Sequence, residues 1–182
     1  MPNTHNRIYA LLVGINDYPP SVGKLQGCIN DVDHFQDWLS DTFDPRKLKL
    51  EILKNGDATR GNIIEMFRAH LGQAGREDVV LFHYSGHGAR SKSAAAFKRF
   101  YPDGKDEGLV CYDSRAPGGF DLADKELAVL LAELARNDPH IAVVLDCCHS
   151  GSGTRGADDF TQARARATYE IFDDRPLERS GT

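Results

Sequence analysis

Apolar runs and helical periods alternate along this chain. Ile8 to Ile15, Leu48 to Leu53, Val79 to Tyr84, Leu109 to Tyr112 and Ile141 to Leu145 are dominated by apolar and β-branched residues and bounded by turn residues. Such runs predict short strands buried on both faces. Between them, Asp31 to Leu39 places Val32, Phe35, Trp38 and Leu39 on one helical face. Thr59 to Leu71 does the same with Ile63, Ile64, Phe67 and Leu71, and Asp124 to Leu134 with Leu127, Leu130, Leu131 and Leu134. Strands alternating with helices of this length predict an α/β domain with a mostly parallel sheet. The stripe residues, Trp38 included, read as packing. Ala89 to Gly108 is polar, carries Gly and Pro, and has neither period, which predicts a long functional loop. From Ser152 onward, Arg155, Arg164, Arg166, Arg175 and Arg179 lie among small and acidic residues, which predicts a mobile tail.

Composition narrows the function classes. The 182 residues carry 22 Lys+Arg against 27 Asp+Glu, a net charge of −5, and 41% are hydrophobic. A chain of this size buries about 70% of its unfolded surface, so one domain with a core is expected and wholesale disorder is excluded. With an acid excess and no basic stripe among aromatics, nucleic acid is not an expected partner. No apolar stretch approaches the roughly 20 residues that span a bilayer, and the polar start lacks a signal-peptide pattern, so no membrane partner and a cytoplasmic location are expected. Of the four cysteines, Cys28, Cys111, Cys147 and Cys148, two are adjacent, which fits a reducing compartment better than a disulfide framework.

In an open parallel sheet, ligands bind beyond the carboxyl ends of the strands. Three of the predicted strands end in unusual residues. The first leads through Gly14-Ile-Asn-Asp-Tyr18 to Gly27-Cys-Ile-Asn-Asp31; the others end in His83-Tyr-Ser-Gly-His-Gly88 and Asp146-Cys-Cys-His-Ser-Gly151. A thiol and an imidazole on one rim make a nucleophile and base pair. Gly86 and Gly88 allow a sharp turn beside His87, and Gly88, Gly151 and the backbone N–H groups around Cys148 are candidate oxyanion donors. Residues two apart in an extended chain point the same way, so Asp146 is expected on the side of Cys148, and Ser85 on that of His87. Asp31 is either a helix N-cap or, if it converges with Asp146, half of an anionic pocket that takes Arg or Lys. Asp146 would raise the pKa of a neighbouring Cys148 thiol, so a bound cation would help activate it. His83, His87, Cys147, Cys148 and His149 could also offer zinc soft ligands, but their spacing is poor and Cys-x-x-Cys pairs are absent.

These residues resemble the metacaspases and their bacterial relatives among the caspase-like cysteine peptidases. The resemblance rests on Tyr9-Ala-Leu-Leu-Val-Gly-Ile-Asn16, Leu25-Gln-Gly-Cys-Ile-Asn-Asp31, Tyr84-Ser-Gly-His-Gly88 and Asp146-Cys-Cys-His-Ser-Gly151, and covers about residues 7–153. The His87 to Cys148 interval is near the roughly 50 residues of caspase-type pairs. The resemblance implies a three-layer sandwich with helices on both faces of the sheet. It implies a catalytic domain over residues 1–153 and a flexible tail or processing linker over 154–182. It makes Cys148 the nucleophile and His87 its acid/base partner, with Cys147 excluded as nucleophile. Cys28, Asp31, Ser85 and Asp146 become the pocket for the residue before the cut, so protein or peptide substrates would be cleaved after Arg or Lys.

The resemblance further implies calcium held by acids after the histidine motif, for which Asp103, Asp106, Glu107 and Asp124 are the candidates, with Asp113 nearby; no organic cofactor is implied. Lys125 stands where the family has an acid, and the alternative is a solvated acidic loop. Caspase-like enzymes also continue into a small-subunit portion, for which the stretch after Gly151 is short. The chain is therefore expected to be part of a longer precursor or to be completed by another chain, with the tail arginines as self-cleavage sites. The competing expectation is a catalytically silent scaffold that binds a partner through the same groove.

Overall fold

A computed structural model describes residues 7–92, 105–147 and 167–169. Its main sheet has four parallel strands in the order β2-β1-β3-β7: β1 (Ile8–Gly14), β2 (Leu48–Lys54), β3 (Val79–Ser85) and β7 (His140–Asp146). All seven residues of β1 are buried, as its unbroken apolar run requires of a strand flanked on both sides and covered on both faces. β2, at one edge, alternates partly buried with exposed residues over its first half.

One helix covers one face and two cover the other, so the mostly parallel three-layer sandwich is present. α1 (Cys28–Thr42) lays Val32 and Leu39 on Ala10, Leu12 and Leu81. α2 (Arg60–Ala69) and α3 (Asp124–Ala135) bury Ile63, Phe67, Leu127, Leu130 and Leu134 against Leu11, Val13, Phe82 and Tyr84. Thr59 caps α2 by accepting the Asn62 N–H at 3.2 Å, and Glu126 folds back to accept the Ala123 N–H at 2.9 Å at the start of α3. The Arg60–Glu126 pair, 2.7 Å, ties the two helix starts together. Trp38 departs from the expected packing role and is 52% exposed. At about 100° per residue it lies well around the helix from the Val32–Leu39 line, and it meets Phe35 and Phe43 edge-on instead.

Two expectations are corrected. Leu109 to Tyr112 is not a strand of the main sheet. Strand β5 (Lys105–Leu109) ends at Leu109 and lies in a second sheet, ordered β6-β5-β4-β8, with β4 (Gly88–Lys92), β6 (Leu122–Ala123) and β8 (Ala167–Tyr169). Val110 and Cys111 are fully buried beyond the strand end: the Val110 N–H still donates to the His87 carbonyl at 3.0 Å, but the Tyr18 hydroxyl takes the Val110 carbonyl at 2.8 Å and the Ser114 hydroxyl accepts the Cys111 N–H at 2.8 Å. Nor is Ala89 to Gly108 loop throughout, since its two ends pair as antiparallel strands, with Arg90 facing Glu107 across the ladder.

Candidate functional site

Parallel pairing in register brings three strand ends into one row, since Gly14 pairs with Ser85 and Ser85 with Asp146. Above that row sits the start of α1. A Cβ on Gly14 would come within 2.7 Å of Val32 and 2.9 Å of the Cys28 carbonyl, so glycine is what lets the helix settle this close to the sheet. α1 begins at Cys28 behind Gly27 (φ 112°), which gives no side-chain cap. Asn16, at the end of β1, accepts the Cys28 N–H at 3.0 Å in its place. Asp31 is therefore not the N-cap; it lies in the first turn of the helix and serves another group.

That group is Ser85. Its hydroxyl donates to Asp31 Oδ2 at 2.9 Å and lies 3.3 Å from Asp146 Oδ2. Two carboxylates thus converge on one hydroxyl at the strand ends. Cys28 is fully buried below the helix start. The carboxylates open into a cavity of about 470 Å³ walled by Phe35, Trp38, His83 and Val144. His83 stacks on Phe35 with ring centroids 4.8 Å apart. Burial pushes its pKa below the ordinary value, against the opposing pull of Asp31 and Asp146.

Below about 6.5, the ordinary His value, the unfolded chain takes up a proton that buried His83 resists, so stability present above that pH erodes as pH falls through it. Calorimetry at pH 7.5 and 5.5 should show a loss of Tm on acidification that is smaller in His83→Phe; an equal loss would mean other groups carry it.

His87 is set on a tyrosine platform. Its ring tilts over Tyr18 at 4.9 Å, and its N–H donates to the Tyr18 hydroxyl at 3.1 Å. The Tyr84 hydroxyl donates to the His87 carbonyl at 2.8 Å. Burial holds both phenols well above the ordinary tyrosine pKa, so both remain O–H donors at neutral pH. His87 Nε2 lies 3.3 Å from the Gly23 carbonyl. A carbonyl only accepts, so that contact places the proton on Nε2 and the lone pair of the neutral ring on Nδ1. Sequence reasoning missed the Gly23 carbonyl, since a backbone acceptor carries no residue-type signal; the positive φ of Gly23, 89°, is its only trace.

Gly86 is the hinge of this arrangement. A Cβ there would fall 2.5 Å from the Tyr84 hydroxyl and 2.6 Å from that of Tyr18. Gly86→Ala should therefore displace the platform, lowering Tm by several degrees and any His87-dependent activity by tenfold or more, at about 1.4 kcal/mol per factor of ten. Unchanged kinetics would show that the platform does not position His87.

Cys147, partly buried, packs with the core on the α2/α3 face, opposite to Asp146. Cys148, His149, Ser150 and Gly151, with Asp103 and the tail arginines, lie outside the described residues, as does the side chain of Asp106. Of the acids expected to hold calcium, Glu107 accepts two bonds from Arg90, at 2.9 and 2.7 Å, and Asp124 accepts the Lys125 N–H at 2.8 Å. Asp113 caps α2 through the Arg60 N–H at 2.8 Å. Among the described residues, no three of His, Cys, Asp or Glu converge as a metal site. No helix among the described residues is long and apolar enough to cross a membrane.

Residues 9–155 match a family model described as the metacaspase, peptidase C14 domain. Metacaspase-1 of Ajellomyces capsulatus is 32% identical over 149 residues, covering 79% of this chain and 40% of that protein. Metacaspase-1 of Sclerotinia sclerotiorum is 31% identical over 156 residues, covering 82% and 35%. Thus the chain spans well under half the length of these curated relatives. Among solved structures it is similar to protein GSU0716 from Geobacter sulfurreducens, with a TM-score of 0.64 and 27% identity over 80% of this chain and 52% of that one.

Proposed function

Because the chain belongs to the metacaspase family of C14 cysteine peptidases, we propose that it is an endopeptidase that cuts after Arg or Lys, with Cys148 as nucleophile and His87 as general acid/base. The observation that carries the specificity is the Ser85 hydroxyl set between Asp31 and Asp146. A guanidinium or ammonium between two carboxylates makes charge-assisted hydrogen bonds with both, whereas an Asp side chain there would add a third negative charge. Cys28 supports the pocket from beneath.

In the reaction, His87 Nδ1 takes the Cys148 proton and the thiolate attacks the scissile carbonyl carbon. The C–N bond then breaks as His87 returns the proton to the leaving amine, leaving a thioester. Water, deprotonated by His87, attacks the thioester and frees the thiol. The N–H groups of Gly88 and Cys148 are the proposed oxyanion donors. Packing of Cys147 against the core on the far face supports Cys148 as the reactive one of the pair.

Calcium enters this reading as a ligand of Asp103, Asp106, Glu107 and Asp124, outside the chemistry; activity and Tm that ignore both calcium and chelator would remove it. The reading places the enzyme in the cytoplasm. It also includes a small-subunit portion beside β7, supported by Val143, Val144 and Leu145, which are 38%, 38% and 42% exposed on that edge strand. The test is fluorophore release from peptides ending in Arg, Lys or Asp, with Cys148→Ala as control. Release after Arg and Lys that vanishes in the control supports the reading. Release after Asp alone overturns the pocket, and no release from any peptide favours the silent scaffold.

A further inference from the structure

One stripe of α1 looks across at the ends of β3 and β7. Asp31, Phe35 and Trp38 follow one another at helical spacing, so they share a face of the helix over about 10 Å. Opposite them, the parallel register sets His83 beside Val144 and Ser85 beside Asp146. Residues two apart on a strand share a face, so these pairs form two rungs about 7 Å apart. His83, Val144 and Asp146 line the same cavity of about 470 Å³ as the α1 stripe. The cavity is thus a trough with an acidic end at Asp31 and Asp146 and an aromatic end at Phe35, Trp38 and His83.

Its walls are unfinished. Trp38 and Val144 stay exposed although both are apolar. His83, only 4% exposed, leaves its Nδ1 without a hydrogen-bond partner among the described residues. Apolar surface left in water and a buried nitrogen left unpaired both cost free energy. Burial also holds His83 below the ordinary histidine pKa, so at neutral pH its ring is uncharged and does not repel a cation. The volume falls within the roughly 300–1,000 Å³ of small-molecule sites.

We propose that this trough binds a small amphipathic cation, an amine or amidine carrying an aromatic body, with its N–H groups on Asp31 and Asp146 and its ring against Phe35, Trp38 and Val144. Charge-assisted hydrogen bonds fix the cationic end. Burial of the ring supplies most of the affinity, and contact with the Phe35 and Trp38 rings adds to it. An anion is repelled by the carboxylates, and a wholly polar cation leaves the aromatic end in water. Binding itself needs no catalysis. On the peptidase reading above, on which this one consequence rests, the ligand competes with the Arg or Lys of a substrate, because both use the same two carboxylates.

Trp38 is the chain's one tryptophan, so its fluorescence reports on the trough alone. With the full chain at neutral pH, phenylbutylamine should change Trp38 emission saturably, with a Kd at least about tenfold lower than that of butylamine, the worth of burying the ring. Phenylbutyrate should change nothing. Asp146→Asn should weaken phenylbutylamine binding about tenfold, as loss of one hydrogen bond to a charged group does. Equal affinity for the two amines overturns the aromatic end, binding of phenylbutyrate as tight as that of the amine overturns the acidic end, and emission that no probe moves overturns the site. In the peptidase assay, phenylbutylamine should inhibit Arg-peptide cleavage competitively, with a Ki equal to the fluorescence Kd. Cleavage untouched by saturating amine would overturn the placing of the cation on Asp31 and Asp146. A chain that binds the amine and cuts no peptide removes the peptidase reading and leaves the trough standing.

Discussion

His87→Ala is expected to lower kcat/KM for an Arg peptide by at least about 10³-fold, and Cys148→Ala by as much or more, the scale on which nucleophile and base losses fall in comparable dyads and triads. The two losses should not add, because each residue is useless without the other. The structural basis is the fixed tautomer. With the Gly23 carbonyl accepting from Nε2, the proposed mechanism uses Nδ1 as the base, and the ring cannot rotate without leaving Tyr18. His87→Gln should therefore not rescue, since an amide nitrogen offers no basic lone pair. Because the His87 backbone, not its ring, holds the Tyr18 and Tyr84 hydroxyls, Tm should change little. Steady-state kinetics with calorimetry on the same samples checks this; a His87→Ala enzyme within tenfold of wild type would assign the base elsewhere.

Asp146→Asn and Asp31→Asn should each lower kcat/KM for Arg and Lys peptides by roughly 10- to 150-fold, the range for one hydrogen bond to a charged group, chiefly through KM. Ser85→Ala should cost less, because the hydroxyl organises the carboxylates and carries no charge itself. Stability should move the other way. Two carboxylates facing one hydroxyl repel each other, so removing one charge should leave Tm unchanged or raise it, as at other sites where function is held at the expense of stability. A double-mutant cycle should show strong coupling between positions 31 and 146, since both would grip the same cation. If Asp146→Asn lowers Tm by several degrees while leaving KM unchanged, the pair is structural.

Much of the fold is legible in the runs that become β1 and β3, because a strand buried on both faces must be apolar throughout; the equally apolar run that becomes β7 is placed correctly as a strand, but the expected burial on both faces is not found, since it lies at the sheet edge and is largely exposed. Leu109 to Tyr112 misleads for the same reason: Val110 and Cys111 are as buried as any strand residue, but the Tyr18 and Ser114 hydroxyls take the Val110 carbonyl and the Cys111 N–H. Apolarity reports burial and says nothing of the ladder. The arms of the β4–β5 hairpin escape notice because an Arg90–Glu107 pair stabilises them from the exposed side, leaving no hydrophobic period to read. In the site, the meeting of Asp31, Ser85 and Asp146 follows from strand ends on one rim plus a helix start. The Tyr18 platform and the Gly23 carbonyl depend on where the loop after β1 folds back, which no local pattern encodes.

On the proposed function, Cys148, His87 and the Asp31–Asp146 pair form one site for a basic residue. Labelling with a peptidyl-arginine chloromethyl ketone, mapped by mass spectrometry, tests it most directly. A single adduct on Cys148 is expected, slowed at least about tenfold in Asp146→Asn and nearly abolished in His87→Ala, with the peptidyl-aspartate reagent inert. An adduct on Cys147, or equal labelling by the arginine and aspartate reagents, would contradict it.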